Sequence, residues 1–135
     1  MTRERWLREM PADQFVLVAE RGGEVVGFSG GGPARGEPGM GEVYAIYLLA
    51  EHQGLGIGRA LMRESARRLH AAGLRGLLVW VLRENAPARA FYERLGGVAE
   101  REKEDAVYGG SSDAPRLPVI ETGYVWKDTA PLRGR

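Results

Sequence analysis

The chain has 135 residues, of which 20 are glycine and none is cysteine, and its 19 basic and 18 acidic side chains give a net charge of +1. Without cysteine it has no disulfides, thiolate metal ligands or thiol nucleophile, and two histidines are too few for a histidine-rich metal site. The charge balance gives no general reason to expect nucleic acid or a membrane as a partner. We expect a single domain in the cytoplasm, because the sequence has no apolar run typical of a membrane span or a signal peptide.

The first half of the chain alternates patterned segments with glycine. Thr2 is a suitable helix cap, and Pro11 would end the segment that follows it. Two segments rich in β-branched and aromatic residues flank Gly22 and Gly23, which predicts a hairpin. A third is apolar almost throughout, as expected of a strand covered on both faces. The predicted elements are a helix at 2–10, strands at 15–20, 24–30 and 42–49, and a mobile glycine-rich loop at 30–41.

The second half begins with the period of a helix, whose apolar residues share one face and which Gly73 would end. A second helix is expected between Asn85, a capping residue, and Gly96, with Pro87 tolerated in its first turn. The predicted core residues of the first helix, at 57–71, are Leu61, Met62, Ser65, Ala66 and Leu69. The other predicted elements are strands at 76–82, 97–104 and 118–128, a mobile loop at 109–118 and a tail at 129–135.

Together these elements predict an α/β (α+β layered) domain with a mixed, mostly antiparallel sheet and flanking helices. The strand–helix–strand segment from 42 to 82 implies a central pair of parallel strands, because such a connection joins parallel strands by a right-handed crossover.

Three glycines stand between a predicted strand and a helix, in the segment EHQGLGIGRALM at 51–62. Gly54, Gly56 and Gly58 leave space beside the unpaired N–H groups of the helix start, where the helix dipole favours an anion. Arg59 adds a cation in the first turn. The segment lacks the lysine of a P-loop and the third glycine of a dinucleotide fingerprint, so it fits neither motif. A plain tight connection is the alternative interpretation.

The pattern Q-x-x-G-x-G, formed by Gln53, Gly56 and Gly58, resembles motif A of the GNAT superfamily of N-acetyltransferases. A second block, ENAPARAFYERLGG at 84–97, resembles motif B of that family, and the likeness extends over residues 14–128. In the family, motif A holds the pyrophosphate of acetyl-CoA. The resemblance therefore implies an enzyme that transfers an acetyl group from acetyl-CoA to a primary amine, which attacks the thioester directly.

The resemblance also implies which residues bind the coenzyme. Backbone groups at the end of the strand should bond to the pantetheine arm, much as an added strand would. The glycine loop should surround the pyrophosphate, and the second helix should contact the coenzyme arm. The implied coenzyme-binding residues are Ile46, Tyr47, Leu48, Gln53, Gly54, Leu55, Gly56, Ile57, Gly58, Arg59, Asn85 and Phe91.

Acetyl transfer requires that the amine lose a proton, that the oxyanion be stabilised and that the thiolate be released. By the resemblance Tyr92 is the candidate acid, since a phenol with a pKa of about 10 keeps its proton at neutral pH; packing in the core is its alternative role. The resemblance also makes Glu42 the candidate base. As alternatives, Glu42 is an ordinary exposed carboxylate at the strand end, or a chain of water molecules deprotonates the amine. No metal is expected. The other candidates receive structural interpretations. We interpret His52 as a surface residue, His70 as a residue that interacts with the dipole at the end of the helix, and Arg63 and Arg67 as part of a solvated helix face.

The start of the chain departs from the family pattern. The family begins with a strand and two helices before the hairpin that starts here at Phe15, so residues 1–13 are interpreted as the remnant of a helical region. Those elements line the acceptor side, so the acceptor, a small-molecule or peptide amine, stays open. A homodimer is expected, because a shortened front should expose apolar surface. A non-catalytic acyl-CoA-binding or regulatory module is the alternative function.

Overall fold

The structure is a computed structural model that describes residues 2–5, 13–107 and 117–134. The chain divides into two compact units: the first runs to Leu78 and resumes at Trp126, and the second is Val79–Val125. The elements in chain order are strands β1 (Thr2–Arg5), β2 (Phe15–Arg21), β3 (Glu24–Pro33) and β4 (Met40–Leu48), helix α1 (Ile57–Ala71), strand β5 (Arg75–Leu82), helix α2 (Ala86–Arg94), strands β6 (Val98–Val107) and β7 (Leu117–Trp126), and helix α3 (Ala130–Arg133).

The first unit contains an antiparallel ladder in the order β1-β2-β3-β4. The helix predicted at 2–10 is wrong for its first part, because Thr2–Arg5 forms β1 and pairs with Val16–Ala19 of β2. This pairing gives the outer edge of β2 a hydrogen-bonding partner, which a helix at the same place would not supply. Residues 6–10 of that prediction lie outside the described part of the chain.

Strand β3 is longer than predicted, so the glycine-rich loop is shorter. Gly30, Gly31 and Gly32 belong to β3, and the connection to β4 spans residues 34–39. A Cβ atom at Gly31 would lie 2.5 Å from the carbonyl oxygen of Glu42, and one at Gly32 would lie 2.8 Å from Gln14. These glycines therefore allow close packing within the sheet rather than mobility, and the mobile-loop prediction for 30–41 is wrong at both ends.

Helix α1 packs on one face of this ladder, and its five predicted core residues are all buried. The hydroxyl oxygens of Ser29 on β3 and Ser65 on α1 lie 2.8 Å apart. At Gly41 of β4, an added Cβ would approach Leu69 to 3.0 Å. The absence of a side chain at Gly41 thus lets α1 lie close to the sheet. The apolar face of α1 predicts such packing.

The arginine face of α1 is not the solvated surface that the sequence predicts. Arg63 and Arg67 are half-buried, and the Nε group of Arg67 donates a hydrogen bond to the carbonyl oxygen of Arg133 at 2.9 Å. Arg133 belongs to α3, which lies within the predicted tail at 129–135. The side chains on this face therefore hold the last described residues against α1.

The opposite face of the ladder carries exposed apolar side chains. Phe28 and Tyr47 are partners across β3 and β4, with ring centroids 6.1 Å apart, and they are 39% and 53% exposed. Since neighbouring residues of a strand point to opposite faces, Phe28 points away from Ser29 and from α1. The prediction that β4 is covered on both faces fails in this half of the strand.

The second unit contains α2 and the antiparallel hairpin of β6 and β7. Lys103 on β6 lies 4.3 Å from the centre of the Trp80 ring and 3.4 Å from a carboxylate oxygen of Glu121. The predicted hairpin is confirmed, with both strands longer on the side of their connection. Most of the mobile loop predicted at 109–118 lies outside the described residues.

Candidate active site

The segment between β4 and α1 has two residues in the left-handed region. Gly54 has φ +80°, and Gly56, which caps α1, has φ +82° and ψ 2°. An added Cβ at either position would have no atom of a non-adjacent described residue within 4 Å. The backbone conformation, rather than crowding, is therefore what favours glycine here, and the space beside the loop is open. Gly58 is different, because it lies in the first turn of α1.

The start of α1 presents backbone donors. The first intrahelical bond runs from Ala60 N–H to the carbonyl oxygen of Gly56 at 3.1 Å, so the N–H groups of the three preceding residues have no acceptor within the helix. Gly56 supplies no side chain to cap them. Arg59 is exposed in this first turn. The helix start thus combines free donors, the positive end of the helix dipole and a guanidinium, which suits an anion such as a phosphate.

Gln53 holds the glycine segment to the end of β4. Its Nε2 donates to the carbonyl oxygen of Leu48 at 3.3 Å. The end of β4 pairs on one side with β3, through Ile46, Tyr47 and Leu48. The loop residue Leu55 is exposed. These positions, predicted to contact a coenzyme, form one continuous stretch of the first unit.

The two histidines differ from each other. His70 is exposed in the last turn of α1, as expected for a residue that interacts with the helix dipole. His52 is half-buried, and its Nδ1 atom has no hydrogen-bond partner within the described part of the chain. Interpreting His52 as a simple surface residue is therefore wrong.

Glu42 lies in a compact polar cluster. It is 2% exposed, and its Oε2 forms an ion pair with the guanidinium of Arg35 at 3.0 Å, while its Oε1 accepts from the Arg35 backbone N–H at 3.4 Å. The Arg35 guanidinium also lies 4.9 Å from the centre of the Tyr44 ring. Interpreting Glu42 as an exposed carboxylate is thus wrong, because the strand start is covered by the loop that carries Arg35.

Tyr44 is an extra residue in β4. The pairing with β3 shifts between Gly30 and Gly31, which face Ala45 and Val43, so Tyr44 has no direct partner and forms a β-bulge. Its hydroxyl donates to the carbonyl oxygen of Pro33. Burial raises the pKa of Tyr44, and the charge of Glu42 raises it further. The alternating pattern of the strand does not reveal this bulge, which bends β4 close to Glu42.

Asn85 and Tyr92 belong to the second unit. The Oδ1 atom of Asn85 accepts from Ala88 N–H at 3.2 Å, which confirms it as the cap of α2. Tyr92 is 5% exposed, with its ring centre 5.3 Å from that of Phe91 and 5.8 Å from that of Tyr124. Burial raises the pKa of Tyr92 to about 12. The phenol is therefore held protonated throughout the neutral range.

Tyr124 connects β7 to α2 through a polar network that the sequence did not reveal. Its hydroxyl donates to Glu93 at 2.6 Å and accepts from the Nε of Arg89 at 3.0 Å. Arg89 also donates to the carbonyl oxygen of Arg83 at 3.0 Å. Arg89 and Glu93 are four residues apart and share one face of α2. This spacing identifies the two residues as a pair from the sequence, but it does not identify Tyr124 as their common partner.

The described residues contain neither a cluster of metal ligands nor a helix suited to span a membrane. Within 13–104 and 118–134, where the structure places side chains, no three histidine, aspartate or glutamate residues are grouped so that they could hold a metal ion. Among the described helices, none has the length and apolar composition needed to span a membrane.

The model of the acetyltransferase (GNAT) family matches residues 1–97. The chain belongs to this family. It is 35% identical over 132 residues to the uncharacterized N-acetyltransferase YuaI of Bacillus subtilis (strain 168), covering 96% of this chain and 71% of that protein. It is also 38% identical over 113 residues to the mycothiol acetyltransferase of Amycolatopsis mediterranei (strain U-32), covering 79% of this chain. There it spans 36% of the relative's length.

Solved structures agree with this assignment. An acetyltransferase from Desulfovibrio desulfuricans, described as of the GNAT family, has a TM-score of 0.68 and 26% identity, covering 85% of this chain and 69% of that one. A GNAT family acetyltransferase from Elizabethkingia anophelis with acetyl-CoA bound has a TM-score of 0.72 at 10% identity, covering 94% and 97%. The family, the α/β fold class with a mixed sheet and the N-acetyltransferase class expected from the sequence are confirmed.

Proposed function

We propose that the protein transfers the acetyl group of acetyl-CoA to a primary amine by direct attack of the amine on the thioester. The observation that carries the proposal is the open glycine loop at the start of α1. Gly54 and Gly56 are left-handed with open space for a Cβ at either position. The 15-residue helix that follows has N–H groups without an acceptor within the helix, and Arg59 is exposed in its first turn. This arrangement suits the pyrophosphate of a coenzyme.

The coenzyme contacts follow from the two motifs. In the proposal, backbone groups of β4 that do not pair with β3 bind the pantetheine arm, and the glycine loop binds the pyrophosphate. Asn85 and Phe91 contact the arm from α2. The residues assigned to the coenzyme are Ile46, Tyr47, Leu48, Gln53, Gly54, Leu55, Gly56, Ile57, Gly58, Arg59, Asn85 and Phe91.

In the reaction the amine nitrogen attacks the carbonyl carbon, the C–S bond then breaks, and the thiolate leaves. Tyr92 is proposed to donate a hydrogen bond to that thiolate. Its pKa of about 12 exceeds the ~8.5 of an ordinary thiol, so complete proton transfer is unfavourable by roughly 5 kcal/mol before the coenzyme binds. A hydrogen bond that strengthens as charge develops avoids this cost.

Glu42 is proposed to accept the amine proton, either directly or through water. Its carboxylate is buried and bonded to Arg35 through both oxygens. Accepting a proton therefore requires that Arg35 first release at least one of them. The ion pair makes Glu42 an unusual strand carboxylate, and that favours a role in the site over a purely structural one.

The test is a thiol-release assay with acetyl-CoA and a panel of small-molecule and peptide amines. The proposal predicts thiol release that depends on the amine and equals the amount of acetylated product. Tight acetyl-CoA binding without release across the panel would instead indicate a coenzyme-binding or regulatory module. The comparisons favour catalysis, since the two relatives and the Desulfovibrio desulfuricans structure are named as acetyltransferases.

A homodimer is proposed to cover the exposed face formed by Phe28 and Tyr47. Two neighbouring aromatic side chains with this exposure are a costly apolar surface in water. Sedimentation should give a dimer for the wild type and a monomer for Phe28→Ser. Val98→Ser is the control, because Val98 is similarly exposed but lies in the second unit. A monomeric wild type at high concentration would contradict the proposal.

A further inference from the structure

The ion pair between Arg35 and Glu42 is unequal in exposure. The Arg35 side chain is 74% exposed, whereas that of Glu42 is 3% exposed. Water can readily solvate an arginine that leaves such a pair. A buried carboxylate that loses its cation has no comparable replacement, so Glu42 needs a positive partner whenever Arg35 is away.

The surroundings of the Arg35 guanidinium are suited to organic cations in general. The Glu42 carboxylate lies on one side at 3.0 Å, and the Tyr44 ring lies 4.9 Å from the guanidinium carbon on another. A carboxylate and an aromatic face are the two groups that bind ammonium and guanidinium ions best. Asp13 adds a further negative charge nearby, which raises the pKa of Tyr44 as the charge of Glu42 does.

We propose that Arg35 occupies the subsite for the acceptor's positive charge, and that the acceptor is a cationic amine that displaces Arg35 from Glu42. This inference rests on the proposed acetyl transfer for the identity of the ligand, but the cation subsite itself stands on the geometry of Arg35, Glu42 and Tyr44. Neutral amines gain nothing from the exchange, since they would leave the Glu42 charge unpaired. Substrate selection therefore favours amines that reach the protein positively charged.

Removing the Arg35 side chain tests the subsite by a stability measurement that does not depend on enzyme activity. In Arg35→Ala the carboxylate lacks its cation, and millimolar methylguanidine should bind in its place and raise the unfolding midpoint by roughly 3 °C. The Arg35→Ala/Glu42→Gln variant should show no such rise. Arg21→Ala is the matched control, because Arg21 is an exposed arginine of the same unit. If Arg35→Ala does not fold, Arg35→Gln replaces it.

Kinetics then connects the subsite with the acceptor. Against the wild type, Arg35→Ala should lower the KM for cationic amines severalfold and leave the KM for acetyl-CoA unchanged. Methylguanidine should inhibit competitively with the amine. Equal stabilisation of Arg35→Ala and Arg35→Ala/Glu42→Gln by methylguanidine would overturn the inference. Thiol release that fails with all amines, while methylguanidine still stabilises Arg35→Ala specifically, would refute the proposed function and leave the cation subsite in place.

Discussion

The phenol rings of Tyr124 and Tyr92 lie with their centres 5.8 Å apart, and the Tyr124 hydroxyl is fixed by hydrogen bonds to Glu93 and Arg89. Tyr124 is fully buried, so it acts as a rigid support beside the candidate acid. Tyr124→Phe keeps the ring and removes the hydroxyl. We expect a loss of about 1 kcal/mol in unfolding free energy and a severalfold lower kcat at unchanged KM for acetyl-CoA. A fall in stability without any change in kcat would show a structural role alone.

Tyr92 should make the protein sensitive to alkali. Its folded pKa is about 12, against about 10 in the unfolded chain, so between these values the unfolded chain has lost the proton that the folded protein keeps. The contribution of Tyr92 to the free energy of unfolding is complete below pH ~10. It is lost as the pH rises to ~12, so the free energy of unfolding decreases by roughly 2–3 kcal/mol over this range. Urea unfolding from pH 9 upwards should show this loss in the wild type relative to Tyr92→Phe. Parallel profiles for the two proteins would refute it.

Turnover tests the chemical role of Tyr92 separately. Tyr92→Phe removes the donor to the departing thiolate, so kcat should fall by about a hundredfold. The KM for acetyl-CoA should change little, because the ring still packs against Phe91 and Tyr124. The unfolding midpoint at neutral pH serves as the control for packing. Unchanged kcat would leave Tyr92 a core residue.

The glycine loop offers a matched pair of substitutions. Gly56 has φ +82° and Gly22, in the turn between β2 and β3, has φ +59°, and both have open space for a methyl group. Each substitution to alanine should cost roughly 1–2 kcal/mol of stability through backbone strain. Gly56→Ala should also raise the KM for acetyl-CoA, measured in the thiol-release assay, whereas Gly22→Ala should not. Equal KM values would place the anion elsewhere.

The contact between Ser29 and Ser65 should couple β3 to α1. Both side chains are fully buried and their oxygens are 2.8 Å apart. Either single alanine substitution leaves one buried hydroxyl without its partner and should cost about 1–3 kcal/mol. The double substitution should cost less than the sum of the two, which a double-mutant cycle in urea would measure. Simple additivity would mean that the hydroxyls do not depend on each other.

The elements that the sequence predicted best are those in which local signals agree. Helix α1 has a regular apolar period over its whole length and a glycine at each end, and its predicted bounds match the structure. The failure at Thr2–Arg5 has a non-local cause: this polar segment has no strand pattern of its own and becomes a strand by pairing with β2. Such pairing depends on a partner more than ten residues away.

The candidate site was predictable where a motif carries it. The glycine segment and Asn85 follow spacing rules that a linear sequence displays. Arg35 and Tyr124 could not be found in this way, because their partners, Glu42 and Glu93, lie across a loop and on another element. Assignment of the coenzyme and catalytic residues, a cytoplasmic location and a single domain remain predictions.

The left-handed backbone conformation of Gly56 restricts which amino acids can occupy that position. A φ of +82° is the mirror image of a value that ordinary L-residues adopt, so the encoded amino acids offer only glycine as an unstrained choice there. A D-residue would adopt this backbone without strain. Chemical synthesis with D-alanine at position 56 would therefore keep the loop conformation while adding a methyl group, and so separate the effect of backbone shape from that of open space beside the anion.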